Sequence, residues 1–598
     1  MENISLKISK LSIKNYRNIN SVDIELNNIV AIIGQNNSGK SNLLKAVTLP
    51  FLSYEIGYTG KALSWSDINN DAKKSYYNFL LEHKEDIKSD SLNIDEFSRH
   101  LPKVSVEVTL APTDIELYFV KDICFEVDND GVIKYGLLYE FYPKSLKDIL
   151  SQVKEILISE EFNQDNLEKM QMNLLPTNLY THSILVPQKR TSVSYETLKY
   201  FKYTSLIAER DDFSNSNDKL GSKSLVKLLQ MKLDTKAKLN VEKEYSNFFE
   251  TLKNLSGMED IINWQENTEL ENAKDFFGQI TILPNMPPMN SLLNSIRLGY
   301  SGEQLSSQGL GYRNLILLLV LLNSLLDKKS DLAFSLLAME EPEAHLCINN
   351  KRLLVSFIKS FMNDNNLIQL FYSTHSTEFI NKLDFNNLIV VNNGNAFALS
   401  SELDDDGKDY LSKNPNLDLF KLLFAKNCIL VEGLSEELFI RAYLDSKVEL
   451  NDIEVISFHK GFKNIMDIWL KVNQGSKNRL GIIRDFDTQE NAQKEHDKYN
   501  QYINICVRTT IQYTLEPETV NTGNNFSVLK LYFKEEFGWD ITTKEGLSDK
   551  WRGSKATVML QLCKDLAAGN LANLEMPAHI QEVLDFLTSK EGDIVNEN

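Results

Sequence analysis

Gly34-Gln35-Asn36-Asn37-Ser38-Gly39-Lys40-Ser41 decides how the 598-residue chain is read. It follows the apolar run Ile29–Ile33 and precedes an apolar-periodic stretch, Gly39 to Val47, that Pro50 stops. Strand, glycine loop and helix in that order make a P-loop, whose backbone amides turn inward around phosphates. In such a loop Gly34, Asn36, Asn37, Ser38, Gly39 and Asn42 line the nucleotide. Lys40 reaches the β and γ phosphates, and the Ser41 hydroxyl takes a Mg²⁺ ion. The helix start adds partial positive charge. Strands are expected at Leu6 to Ile13 and Val22 to Leu26, so an α/β head is expected here.

Working outward, Leu336-Leu337-Ala338-Met339-Glu340-Glu341-Pro342-Glu343-Ala344-His345-Leu346 is an apolar strand ending in acids. Beside a P-loop this is the Walker B arrangement, with Glu340 at Mg²⁺ and Glu341 orienting or deprotonating the attacking water. A strand ending in a merely solvated acidic turn is the plainer reading. A second apolar strand ends at Ser373-Thr374-His375-Ser376, where a histidine can sense the γ-phosphate; an isolated histidine is more often a satisfied core or surface residue. Upstream, Leu305-Ser306-Ser307-Gln308-Gly309-Leu310-Gly311 opens the apolar helix that includes Leu315 to Leu322. Ser307, Gly309 and Gly311 there make either an anion site, which in ABC-type ATPases reaches the nucleotide of a second subunit, or a simple helix cap.

The 265 positions between Ser41 and Ser306 (306 − 41) exceed one ATPase lobe, yet carry no sustained heptad pattern. A compact insert is expected there, helical at Leu146 to Ser159 and Lys223 to Leu239, with strands at Val104 to Leu110 and near Ile184. Gln188 and Arg190 approach the nucleotide on one reading. Seven lysines against two acids lie between Lys219 and Lys243. This gives either a basic helix face for nucleic acid or a solvated face of a packed helix. The net charge of −19 works against phosphate binding overall.

The segment Ser401 to Asn416 reads as a linker, and a new α/β unit starts at Cys428. Ile429-Leu430-Val431-Glu432-Gly433-Leu434-Ser435-Glu436 is a strand, then Glu-Gly, then an acid on the first helical turn. Ile482-Ile483-Arg484-Asp485-Phe486-Asp487 supplies a second strand ending in Asp-x-Asp, and Leu515-Glu516-Pro517-Glu518 adds acids downstream. Acids at adjoining strand ends repel unless a cation sits among them, so convergence means Mg²⁺ or Mn²⁺ and metal-assisted phosphodiester cleavage. Strands also end in acids for structural reasons alone. Lys555, in a helix expected to open at Lys550 and run to Leu566, either stabilises charge on the transferred phosphate or is an ordinary surface lysine.

Composition adds limits. With 42% apolar and 25% charged residues the chain reads as folded, in two to four domains. No stretch approaches the roughly 20 apolar residues of a membrane span, and the start carries no signal-like run. Five scattered cysteines without a CxxC pair fit a reducing cytoplasm and argue against a zinc or disulfide framework.

With these motifs in hand, the chain resembles the OLD (overcoming lysogenization defect) family of ATP-dependent endonucleases. It looks like the branch that includes the nuclease subunit of the Gabija antiphage system. Glu-Glu-Pro-Glu-Ala-His-Leu at Glu340 to Leu346 followed by Ser373-Thr374-His375-Ser376 carries the likeness most. Cys347 departs from it, since relatives usually have His there. The resemblance implies an ABC-type ATPase in two parts, 1–150 and 281–415, around a helical dimerisation insert at 151–280, and a TOPRIM nuclease domain at 425–598. It implies metal ligation by Glu432, Glu436, Asp485, Asp487 and Glu516, with Lys555 beside them. It further implies ATP and two divalent metals as cofactors, a DNA substrate, a homodimer or higher oligomer, and a helicase partner in antiphage defence. An RNA substrate such as tRNA, and a scaffold that only recruits an effector, are the rival readings. A topoisomerase fits less well, because no separate domain positions a tyrosine.

Overall fold

A computed structural model describes residues 6–53, 61–111, 118–127, 129, 131–159, 163, 166–206, 220–254, 289–293, 296–325, 332–363, 368–376, 379, 385–402, 419–447, 450, 452–458, 461–486 and 490–589. The chain divides into two compact units. One is formed chiefly by Tyr195–Leu370, the other by Lys7–Leu52, Ile56–Ser194 and Phe371–Asn598.

In the first unit, strand Phe334–Glu340 runs parallel to Phe201–Leu206, in register from Phe334 opposite Phe201 to Met339 opposite Leu206. Six consecutive buried residues, Phe334 to Met339, explain why this strand lies in the interior of a sheet. Helix Leu310–Leu325 buries Leu315, Leu317, Leu318, Leu321, Leu322 and Leu325, so the apolar run is a core helix as expected. It packs against helix Leu220–Lys232. The helix expected from Lys223 to Leu239 is two helices, Leu220–Lys232 and Thr235–Lys253. Asp234 causes the break: its carboxylate accepts the Ala237 amide at 2.7 Å and caps the second helix. Lys219 and the side chains of Lys223, Lys227 and Ser306 lie outside the described residues.

The second unit opens with an antiparallel sheet, ordered Ile19–Glu25, Ile8–Tyr16, Val104–Leu110, Ile133–Pro143 and Cys124–Val127, with Tyr180–Leu185 also pairing with Ile133–Pro143. Strict alternation along Val104–Leu110 puts one face in the core. Strand Ile29–Ile33 is parallel to Leu388–Asn392, which turns back into Asn395–Ala398. The turn needs Gly394: its φ is +79°, and an added Cβ would meet the Asn18 carbonyl at 1.9 Å.

Farther along, the same unit contains a four-stranded, wholly parallel sheet, ordered Ile453–Ser457, Asn427–Val431, Arg479–Arg484, Ile505–Thr509. The central strands are apolar and buried, as a sheet covered on both faces requires. Helices Leu434–Asp445, Leu515–Asn521, Lys544–Gly553, Lys555–Ala567 and Ala578–Thr588 contribute to its core, with Trp551 and Phe439 fully buried. The single helix expected from Lys550 to Leu566 is interrupted at Ser554, so Lys555 begins a helix of its own. Because all four strands run the same way, their carboxyl ends share one edge, where ligands bind in open parallel sheets.

Candidate functional site

At the phosphate loop, Gly34 and Gly39 are there for close approach. A Cβ on Gly34 would meet the Val391 carbonyl at 2.2 Å, and one on Gly39, whose φ is +116°, would meet the Asn18 side chain at 2.6 Å. Lys40 is buried and donates to the carbonyls of Gly34 and Gln35 at 2.9 and 2.8 Å, so its ammonium folds back over the loop. The Ser38 hydroxyl is buried without a hydrogen-bond partner. An unsatisfied buried donor at a helix start suits a phosphate oxygen. Asn36, Asn37 and Ser41 are exposed at the loop.

Asn42 has another occupation: its amide donates to Asn18 Oδ1 at 2.8 Å and its oxygen accepts from Arg17 at 3.0 Å. Asn18 in turn donates to the Ser38 carbonyl at 2.9 Å, and Arg17 pairs with Asp67 at 2.9 Å. This chain from Asp67 to Ser38 holds the loop from behind, and sequence reading missed Arg17 and Asn18. His375 lines a cavity of about 600 Å³ together with Gln35, Asn36, Phe424 and Lys426, so the structure brings it beside the loop. The Thr374 amide donates to the Ile32 carbonyl, and the Gln35 amide to the Phe424 carbonyl at 2.8 Å. Arg190 pairs with Glu140 at 2.8 Å, and Gln188 has a φ of +58°.

In the other unit, strand Phe334–Glu340 delivers Glu340 and Glu341, both partly buried, the latter with a φ of +41°. A positive φ at a non-glycine residue is strain that functional turns retain. Gly311 abuts this turn: a Cβ there would lie 2.5 Å from the His345 carbonyl. The Asn314 amide donates to the Ala344 carbonyl at 3.2 Å. Ser307 donates to the Gln304 carbonyl at 2.7 Å, and Gly309 faces open space.

The acids of the C-terminal sheet gather at its carboxyl edge. Glu432 follows strand Asn427–Val431, and Asp485 follows strand Arg479–Arg484 beside it. Glu436, 5% exposed, sits on the first turn of helix Leu434–Asp445 and packs on Gly433, where a Cβ would lie 2.5 Å from Glu436 Oε2. Glu516, 1% exposed, starts helix Leu515–Asn521, and Thr514 donates to its Oε2 at 2.8 Å. Lys555 Nζ stands 3.1 Å from Glu436 Oε1 and 2.9 Å from Glu516 Oε1. Lys555 is therefore a member of the acidic cluster.

The electrostatics report the same convergence. Burial, followed by the Glu436 and Glu432 carboxylates, pushes Asp485 up to about 8; Glu516 adds to the rise and Lys555 opposes it. Burial alone lowers Lys555, but Glu436 and Glu516 outweigh it and hold its ammonium above the usual range. Four acids surround one ammonium, with the Arg484 guanidinium 3.7 Å from Glu432, and acid in excess of base calls for further cations. The donors are all hard oxygens, which suits Mg²⁺ or Mn²⁺. Among the described residues, no three His, Cys, Asp or Glu side chains form a ready-made ion cage. The Lys555 ammonium stands between two of the acids, and Asp487 lies outside the described residues.

Sequence reading overlooked Arg484, although a charged residue inside an apolar strand was a signal. It is 3% exposed, contacts His496 Nδ1 at 3.1 Å and lies 3.7 Å from Glu432 Oε1. Glu518, read only as another acid, accepts the Gln512 amide at 2.6 Å and so holds the loop after strand Ile505–Thr509. Among the described residues no helix is long and apolar enough to cross a membrane. All five cysteines are free.

A family model described as an AAA ATPase domain matches residues 6–380. The chain is 22% identical to Endonuclease GajA of Bacillus cereus strain HuB5-5 over 527 residues, 78% of this chain and 72% of that protein. The same identity, over 526 residues covering 86% and 81%, relates it to Endonuclease GajA of Bacillus cereus strain VD045. DNA replication and repair protein RecF of Rickettsia akari is 24% identical over 193 residues, 28% of this chain and half of that protein. The Smc head bound to the C-winged helix domain of ScpA shares 16% identity over 66% of this chain and 99% of its own, at a TM-score of 0.31, too loose a superposition to bear on the fold. The resemblance read from the motifs therefore holds along most of the sequence.

Proposed function

The chain belongs to the AAA ATPase domain family, and from that premise we propose that it is an ATP-binding, divalent-metal-dependent DNA endonuclease of the OLD type, whose cleavage is controlled by nucleotide state. Its head is of the ABC type, in two parts (1–150 and 281–415) around a helical dimerisation insert (151–280), and residues 425–598 form a TOPRIM nuclease domain. Similarity to two proteins named as endonucleases supports the activity. The observation that supports it is Lys555 Nζ, 3.1 Å from Glu436 Oε1 and 2.9 Å from Glu516 Oε1, at the sheet edge where two adjacent strands end beside Glu432 and Asp485.

At the nucleotide, Lys40 leaves the Gly34 and Gln35 carbonyls for the phosphates, while the loop amides and Ser38 bind phosphate oxygens. Ser41 would bind Mg²⁺ and His375 would meet the γ-phosphate; Glu340 and Glu341 keep the Walker B roles that the sequence assigns them, at the ion and at the attacking water. Ser307, Gly309 and Gly311 face the nucleotide of a second copy, which makes the working form a dimer or larger. At the nuclease centre, Glu432, Glu436, Asp485, Asp487 and Glu516 are the residues that would hold divalent cations. Bound there, such ions activate water and stabilise the leaving oxygen of a phosphodiester. Lys555 keeps Glu436 and Glu516 together and offers positive charge to the phosphate. Asp485 would bind such a cation as its carboxylate, and Arg484, 3.7 Å from Glu432 Oε1, orients that side chain. Defence against phage beside a helicase partner is what the resemblance to the OLD family implies.

Plasmid nicking by the purified chain with Mg²⁺ or Mn²⁺ tests this. Glu432→Ala and Asp485→Ala abolish nicking; unchanged rates in both reject the site.

A further inference from the structure

Arg484 closes the apolar strand Arg479–Arg484, where burying a full charge is costly unless it is paired. Ile483 pairs with Val431 on the neighbouring strand, which brings the next residues, Arg484 and Glu432, to the same level. The Arg484 backbone is tied down by the Thr510 amide, which donates to its carbonyl at 3.0 Å. Among the described residues the guanidinium has two side-chain partners. Glu432 Oε1 stands 3.7 Å from Nε, and His496 Nδ1 stands 3.1 Å from Nη1. Nε itself has no hydrogen-bond partner, because 3.7 Å is too long for one. Arginine only donates, so Nδ1 accepts, and the neutral His496 ring carries its proton on Nε2. Burial, followed by the Arg484 charge, lowers His496 and favours that neutral form.

Helix Glu490–Asp497 delivers the His496 ring, and three contacts fasten this segment to helix Phe462–Val472. Lys463 pairs with Glu495 at 2.9 Å, and the Phe462 and His496 rings meet edge to face with 6.0 Å between centroids. Tyr499, just past the helix, donates to Asp467 at 2.6 Å. The imidazole therefore reaches Arg484 from a braced support.

We propose that His496 is a positioning residue of the nuclease centre. It fixes the Arg484 guanidinium with its Nε edge toward Glu432, and so holds that carboxylate where it can take a divalent cation. This rests on the reading of Glu432 as a cation ligand. The guanidinium is a planar fork, so an acceptor at Nη1 sets the direction of Nε as well. Without that acceptor a second buried N–H is left unsatisfied, and the fork turns toward other partners. Groups one step removed from a metal ligand set its orientation, and losing one costs about 10- to 100-fold in ion affinity or activity.

The test measures Mn²⁺ binding to the full chain, free of nucleotide, by electron paramagnetic resonance. His496→Phe keeps a ring against Phe462 but offers no acceptor, and the Mn²⁺ Kd rises about ten-fold. His496→Asn gives up the ring but places Oδ1 where Nδ1 stood, and the Kd stays within about three-fold of the parent. A residue needed only for packing gives the opposite order, since Phe fills the space better than Asn. A parental Kd in His496→Phe, or an equal loss in both variants, overturns the proposal. His496→Ala carries the same expectation as His496→Phe and replaces it should circular dichroism show that variant unfolded. Glu432→Gln is measured alongside. A parental Kd there rejects Glu432 as a ligand and takes the proposal with it. A raised Kd in Glu432→Gln beside an unaffected His496→Phe leaves the metal centre standing and rejects the role of His496 alone.

Discussion

Replacing Lys555 by Met removes the one ammonium that Glu436 and Glu516 share while keeping most of its aliphatic stem. The two carboxylates it serves are 6% and 1% exposed at the side chain, so water cannot take its place. Removing one partner of a fully buried pair costs ~3–5 kcal/mol. Lys555 itself is 36% exposed, so solvent already screens part of the interaction and the expected loss falls to ~2–3 kcal/mol. Urea unfolding in EDTA, followed by tryptophan fluorescence, reads this loss. Saturating Mg²⁺ narrows the gap, because an ion at a hundred times its Kd returns ~2.7 kcal/mol to the folded state. It returns more to the variant, whose carboxylates have lost their internal counter-charge. With Mg²⁺ present the variant loses the nicking that the parent shows. A variant within ~0.5 kcal/mol of the parent in EDTA refutes the shared-ammonium account.

Gly433→Ala places a methyl 2.5 Å from Glu436 Oε2 and displaces that carboxylate, so nicking falls about ten-fold or more while the melting temperature holds. Asn18→Ala cuts the tie to the Ser38 carbonyl and Asn42, and nucleotide affinity measured by calorimetry drops about ten-fold, the worth of ~1.4 kcal/mol in hydrogen bonds. His579 is buried with both ring nitrogens unbonded, and burial lowers it to about 4. Its neutral form is the folded one, so the stability it confers is complete above its unfolded value near 6.5 and fades as pH drops toward 4, by ~3 kcal/mol. His579→Leu removes that slope in acid-unfolding curves; an identical slope in the variant contradicts the assignment.

The parts legible in the sequence are those where a short run carries its own physics. Gly34 to Ser41, the apolar run into Glu340, and the strands ending at Glu432 and Asp485 each announce an apolar strand followed by a polar loop. The strands Ile453–Ser457 and Ile505–Thr509 were not read, although they complete the parallel sheet, because five-residue strands of mixed pattern look like many loops. Lys555 stayed undecided between surface and site, since nothing local says that its helix packs on helix Leu434–Asp445, 119 positions away. The break at Asp234 was hidden by continuous helical periodicity on both sides.

Manganese binding measured by electron paramagnetic resonance, on nucleotide-free protein, tests the central claim most directly. The parent chain binds Mn²⁺, and Asp485→Asn and Glu436→Gln each weaken that binding at least ten-fold and lose nicking in parallel. Binding that survives both substitutions at full strength, or nicking that proceeds without it, contradicts the account.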